Sequence, residues 1–183
     1  AYNRSMSAPA EPTVRVFFAL VPPADLQCVL GEFARHVAGR AHGRSVPAED
    51  VHLTLAFIGA WPLAKLSALY GAAAAIRATP MRVSLDVQGG FRRAGVAWIA
   101  PSTQPLGLQP LAQALGVHLT EVGVKLETRA FHPHMTLARR CRGPYPHGAA
   151  GPYVWDVDAM TLMASDTRGE GSRYTALARW PLS

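Results

Sequence analysis

Two histidines in this chain sit in the same short phrase. His52-Leu53-Thr54-Leu55-Ala56-Phe57 returns 82 residues later as His134-Met135-Thr136-Leu137-Ala138-Arg139. An imidazole, with an ordinary pKa of about 6.5, takes up or gives away a proton near neutrality. One imidazole performs one transfer well; two on opposite sides of a substrate can serve as base and acid in a single step. That arrangement hydrolyses a phosphodiester without a metal, one ring taking a proton from water and the other protonating the departing oxygen. Each positioned acid or base is typically worth about 10²–10⁴-fold in rate. Thr54 and Thr136, two residues after each histidine, could donate hydrogen bonds to non-bridging phosphate oxygens, where transition-state charge gathers.

These groups converge only if each phrase is a strand. Side chains two apart on a strand share a face, so histidine and threonine stand together while Leu53, Leu55, Phe57, Met135 and Leu137 turn toward a core. Strict alternation points Phe57 and Arg139, five residues after each histidine, away from the histidine face. If the strands bend there, the two flank a nucleobase, Phe57 by stacking and Arg139 by cation–π contact or a phosphate hydrogen bond. A lone strand histidine is usually structural. The duplication argues otherwise, because a core has no use for four polar groups in equivalent places.

The surrounding sequence supplies one α+β frame. The Val- and Phe-rich stretch Val14 to Val21 predicts a strand ended by Pro22-Pro23, and Leu26, Val29, Leu30, Phe33 and Val37 recur at helical spacing before Gly39. A polar entry, Arg44 to Asp50, leads to the strand His52 to Ile58, closed by Gly59. Pro62 opens a second helix, Met81 to Val87 and Gly95 to Ala100 pair as strands, and Leu108 to Val122 carries a third helical stripe. A short strand is expected at Lys125 to Arg129, a surface loop at Arg140 to Tyr153, and a closing hairpin of Trp155 to Ser165 and Arg173 to Trp180 across the polar loop Asp166 to Ser172. Adjacent strand pairs imply antiparallel sheet. The repeated motif suggests two pseudo-symmetric lobes with helices flanking and a groove between, all within one domain over residues 14–182. Residues 1–13 are expected to be a flexible N-terminus, with Met6 as the natural start and residues 1–5 a remnant before it.

With 183 residues, 49% hydrophobic and 16% charged, the chain has the composition of an ordinary globular protein. A net charge of +6 favours anionic partners such as nucleic acid or nucleotide phosphates. Cys28 and Cys141 are too few and too far apart for a disulfide scaffold or thiolate zinc site. No stretch approaches the ~20 apolar residues of a membrane span, and the N-terminal residues lack a signal-peptide core. A cytoplasmic monomer with no cofactor is the expectation.

The chain resembles the two-histidine (2H) phosphoesterase superfamily, defined by two HxTx motifs, and within it the RNA 2′,3′-cyclic phosphodiesterases historically called 2′-5′ RNA ligases. The likeness rests on Arg15 to Leu20, His52 to Gly59, Phe91, Trp98, the specific phrase Pro133-His134-Met135-Thr136-Leu137-Ala138-Arg139, Ser165, and Tyr174 to Leu182. It implies the bilobal 2H fold and the opening of RNA 2′,3′-cyclic phosphate ends to 2′-phosphates, with reversible 2′-5′ joining of RNA ends. It further implies His52 as proton donor to O3′, His134 as the acceptor that activates water, Thr54 and Thr136 as phosphate holders, and no metal. Arg129, Arg140 and Arg142 are candidates for a cationic rim.

Three rival readings remain open at this point. His132, His134 and His52 could form a metal site, although no acidic or thiolate ligand is spaced to complete it. The same cleft could bind RNA ends without turning them over, or act on a small cyclic nucleotide or an ADP-ribose derivative.

Overall fold

The computed structural model describes residues 11–166 and 173–183. Its strands are β1 (Thr13–Leu20), β2 (Arg44–Ser45), β3 (Leu53–Pro62), β4 (Met81–Phe91), β5 (Val96–Ala100), β6 (Met135–Arg139), β7 (Gly148–Val157), β8 (Ala159–Asp166) and β9 (Arg173–Pro181). The helices are α1 (Ala24–Arg40), α2 (Leu66–Ala74) and α3 (Leu108–Glu121). The strands make one sheet in the order β7-β4-β5-β6-β3-β1-β8-β9, with β2 beside β6. Every pairing is antiparallel. Its two halves, β7-β4-β5-β6 and β3-β1-β8-β9, meet at a thin seam where β3 and β6 share the paired position Leu53↔Met135. Each motif strand is therefore the inner strand of its half.

All three helices pack against one face. Leu30, Ala34 and Val37 of α1, Leu69 and Ala72 of α2, and Leu108, Leu111, Leu115 and Leu119 of α3 join Val16, Phe18, Leu53, Leu85, Ile99 and Met135 in a single buried cluster. The α3 leucines, three or four residues apart, form one apolar stripe; burying each such side chain contributes about 1.5–3 kcal/mol. Among the described residues a second, small buried cluster, Phe17, Ala19 and Met163, lies on the opposite face. This second face is where the polar motif residues emerge.

The structure departs from the sequence expectations in four places. Residues 125–129 form no strand: β6 is already flanked by β5 and β3, Leu126 rests against Gly116 of α3, and Glu127 pairs with Arg129 in solvent. The expected loop at Arg140 to Tyr153 holds over residues 140–147, but from Gly148 onward the chain is strand β7, paired to the outer edge of β4. An edge strand tolerates proline, and a register shift opposite Leu85 and Val87 lets residues 150–152 bulge around Pro152. The strand expected over Trp155 to Ser165 is divided at Asp158 between β7 and β8. Finally, β3 passes through Gly59, at φ 81°, and continues to Pro62. The centre of the loop expected between β8 and β9, residues 167–172, and the N-terminal residues 1–10 lie outside the described residues.

Candidate active site

Each histidine immediately precedes its strand. Extending the Leu53↔Met135 register by one residue in each direction sets His52 across from Thr136 and Thr54 across from His134. The sequence thus brings two imidazoles and two hydroxyls to the seam of the sheet. Neither threonine hydroxyl is bonded to another described residue.

Phe57 and Arg139 also arrive on this face, against strict alternation. Along β3, Ala19 pairs with Thr54 and Phe18 with Ala56, so Leu55 is an extra residue in the ladder. Along β6, Trp98 pairs with Thr136 and Ala97 with Ala138, so Leu137 is extra at the equivalent place. These are β-bulges. Leu55 with Ala56, and Leu137 with Ala138, both pack on the helix-covered core. The next residue in each copy is then turned to the histidine face. Phe57 pairs with Phe17, whose ring lies 4.8 Å from that of His52, and Phe57 is 50% exposed. The Arg139 charge acts on both histidines.

Each imidazole is oriented by backbone from its own approach segment. His52 Nδ1 is 2.6 Å from the Asp50 carbonyl oxygen, and His134 Nδ1 is 2.8 Å from that of His132. A carbonyl only accepts, so each Nδ1 carries the proton and donates it. The lone pair of the neutral ring is consequently on Nε2 in both copies. Burial pushes the His52 pKa down to about 4, with the charges of Arg139 and His134 adding to the effect and the Asp50 carbonyl opposing it. Burial also lowers the pKa of His134; the His132 carbonyl opposes, and Arg139 and His132 contribute. The free site holds neutral imidazoles beside a fixed cation, an environment that favours an anion.

Aromatic rings complete the match between the copies. Tyr174 meets His52 edge-on at 5.1 Å and 87°, and Phe91 meets His134 at 5.1 Å and 87°. Phe17 supports Tyr174 at 5.0 Å, and Trp98 supports Phe91 at 5.6 Å. Trp98 lies flat across Gly89, where a Cβ would come within 2.3 Å of the indole. The guanidinium of Arg15 stands 5.6 Å over the Phe57 ring. The roles of Arg15, Phe17 and Tyr174 escaped sequence reasoning; they lie in stretches of resemblance, but nothing in their spacing ties them to either motif. Of the expected cationic rim, Arg129 is engaged with Glu127, while Arg140 and Arg142 are exposed. His132 is exposed, and among the described residues no three His, Cys, Asp or Glu side chains converge as metal ligands would.

The model of the 2′-5′ RNA ligase superfamily matches residues 22–169. The chain belongs to the 2′-5′ RNA ligase superfamily. Its similarity extends to the RNA 2′,3′-cyclic phosphodiesterase of Escherichia coli (strain K12), 36% identical over 173 residues, which cover 92% of this chain and 97% of that protein. The enzyme of the same name from Thermus thermophilus is 32% identical, over 92% of this chain and 90% of its own length. Among solved structures, E. coli LigT complexed with 3′-AMP superposes with a TM-score of 0.87 at 33% identity, covering 94% of this chain and 99% of that one. This superfamily member therefore has the α+β fold expected from its sequence.

Proposed function

We propose that this protein is a metal-independent RNA 2′,3′-cyclic 3′-phosphodiesterase, opening terminal cyclic phosphates to 2′-phosphates. The carrying observation is the pair of imidazoles whose Nδ1 atoms are each bonded to a carbonyl two residues back, leaving both Nε2 atoms for proton transfer. In the forward step His134 Nε2 takes a proton from water as the water oxygen bonds to phosphorus. The P–O3′ bond breaks and His52 Nε2 gives its proton to O3′. Thr54 and Thr136 hydroxyls hold non-bridging oxygens, Arg139 offsets developing negative charge, and the base rests against Phe57.

Burial alone leaves His52 neutral, so the anionic substrate has to load its proton. With an RNA 5′-hydroxyl in place of water the same step runs with the same roles: His134 takes the hydroxyl proton, O5′ bonds to phosphorus, P–O3′ breaks and His52 protonates O3′, giving a 2′-5′ linkage. Cleavage of that linkage back to the cyclic end exchanges the two roles. The setting we propose is RNA-end processing in the cytoplasm by a monomer. The names of the relatives support the reaction, and the solved relatives complexed with 3′-AMP, ATP and NADP+ support a nucleotide site.

Product analysis tests the reading. An oligoribonucleotide ending in a 2′,3′-cyclic phosphate should yield a terminal 2′-phosphate in the presence of chelator. A 3′-phosphate, or no product without a divalent ion, would refute it.

A further inference from the structure

Three segments distant in sequence come together at the far end of β6. The Arg139–Arg142 stretch is bonded to both others: Cys141 N–H donates to the Gly95 carbonyl at 2.9 Å, and Arg142 N–H to the Ala41 carbonyl at 3.0 Å. The Tyr145 hydroxyl donates to the Cys141 carbonyl at 2.8 Å and lies 3.3 Å from that of Arg92. Packing there is tight, since a Cβ on Gly43 would meet Cys141 Sγ at 2.6 Å. What these backbones present is arginine: Arg40 and Arg44 from one segment, Arg92 and Arg93 from the second, Arg140 and Arg142 from the third, all six exposed. No acidic residue occurs in any of the three segments.

The charge distribution is unusual in two respects. Several exposed arginines elsewhere are matched: Arg82 with Asp156, Arg129 with Glu127, Arg179 with Asp158. None of the six has an acidic partner among the described residues. Setting those six aside leaves 12 of the 18 Lys and Arg against 12 Asp and Glu, so they account for the whole net charge of +6. The cluster is also contiguous with the site, because Arg44 is the cross-strand partner of Arg139. Among the described residues, the non-glycine residues at positive φ are His42 at 49° and Arg140 at 55°. Both lie in this collar, where the packed backbone holds them in an unfavourable region.

We propose that this arginine collar is a track for the phosphodiester backbone of RNA upstream of its terminal cyclic phosphate. Unpaired guanidiniums in a row bind phosphates irrespective of base and release counterions as they do so. With the end nucleotide against Phe57 and Arg139, the preceding phosphates run past Arg44 and along the two flanking arginine segments. The site then prefers an oligonucleotide end to a mononucleotide. This inference rests on the phosphodiesterase reading, and the experiment separates the two.

The kcat/KM of a 2′,3′-cyclic-phosphate octaribonucleotide is compared with that of a 2′,3′-cyclic mononucleotide across a salt series. The proteins are the wild type, a collar triple variant (Arg92→Ala, Arg93→Ala, Arg142→Ala) and a control triple variant (Arg35→Ala, Arg77→Ala, Lys125→Ala). The collar variant should lower the octamer-to-mononucleotide ratio about tenfold and reduce the octamer's log–log salt slope by about 2, at about 0.7 for each phosphate no longer neutralised. Equal effects of the control variant, or an unchanged ratio in the collar variant, would overturn the track. If the wild type opens neither substrate, the phosphodiesterase reading fails instead. Fluorescence anisotropy with a 3′-hydroxyl octaribonucleotide then still tests the collar, which must bind RNA more weakly in the collar variant than in the control. Collar-dependent binding to anionic phosphatidylserine vesicles but not to RNA would also overturn it.

Discussion

Placing a fixed anion between the two histidines should move the His52 pKa by a calculable amount. In the free protein it is depressed to about 4, chiefly by burial. Sulfate is a suitable probe because its charge does not change across the range of interest. Counting one of sulfate's two negative charges, with the other taken as offset by Arg139, an anion at about 4 Å in an effective dielectric near 20 interacts with an imidazolium by about 4 kcal/mol, or about 3 pKa units. The bound-state pKa should therefore lie near 7, where a general acid works best. Between those two values the complex holds a proton that the free protein lacks, so binding takes up about one proton and sulfate affinity rises as pH falls from about 7 to about 4. The same shift sets acid stability. Relative to an unfolded histidine near 6.5, a folded value of about 4 means stability is complete above pH 6.5. As pH falls toward 4, about 3 kcal/mol is lost, and bound sulfate should restore most of it. NMR titration of the His52 Cε1–H with and without sulfate reads the pKa; calorimetry in buffers of different ionisation enthalpy reads the proton uptake. A free His52 titrating near 6.5 and indifferent to sulfate would refute the reasoning.

Three further perturbations probe the parts that hold the site. Arg139→Gln removes a cation acting on both histidines, so both NMR-observed pKa values should rise while 2′-nucleotide product binds at least tenfold more weakly. Gly89→Val would drive a side chain into Trp98, within 2.3 Å of which even a Cβ would lie; overpacking of about 1–3 kcal/mol should lower the denaturant midpoint and reduce kcat through Phe91 and His134. Asp50 is 7% exposed, and the Tyr174 backbone opposes the rise that burial causes in its carboxyl pKa. Asp50→Ala removes that interaction, at a cost of about 1–3 kcal/mol in urea unfolding, and should loosen the Tyr174 ring from His52.

What could be read in advance depended on how local each feature is. The duplicated His-x-Thr phrase was legible because two-residue alternation needs no tertiary knowledge, and the α3 leucine stripe was legible for the same reason at helical period. The bulges at Leu55 and Leu137 were not, since an extra residue in a ladder is defined by the partner strand. They decide the orientation of Phe57 and Arg139, which simple alternation turns the wrong way. The orienting groups of the histidines were invisible for a different reason: the acceptors are backbone carbonyls, and Asp50 and His132 share no side-chain chemistry that would reveal the equivalence. Strand β7 was obscured by Gly148, Gly151 and Pro152, whose loop signature is overridden by the open edge of β4. The full arginine collar could not be assembled from sequence, because its three segments meet only through tertiary contacts: the hydrogen bonds of residues 141 to 143 and of Tyr145, and the pairing of Arg44 with Arg139.

Single-turnover opening of a 2′,3′-cyclic nucleotide by His52→Ala, His134→Ala and the double variant, all in chelator, tests the two-imidazole mechanism most directly. Each single variant should lose about 10³-fold, within the range for a positioned acid or base. The double variant should lose far less than the product of the two, because the residues act as a unit. Either single variant retaining activity within about tenfold of wild type, where a positioned acid or base supplies at least about 10², would contradict it.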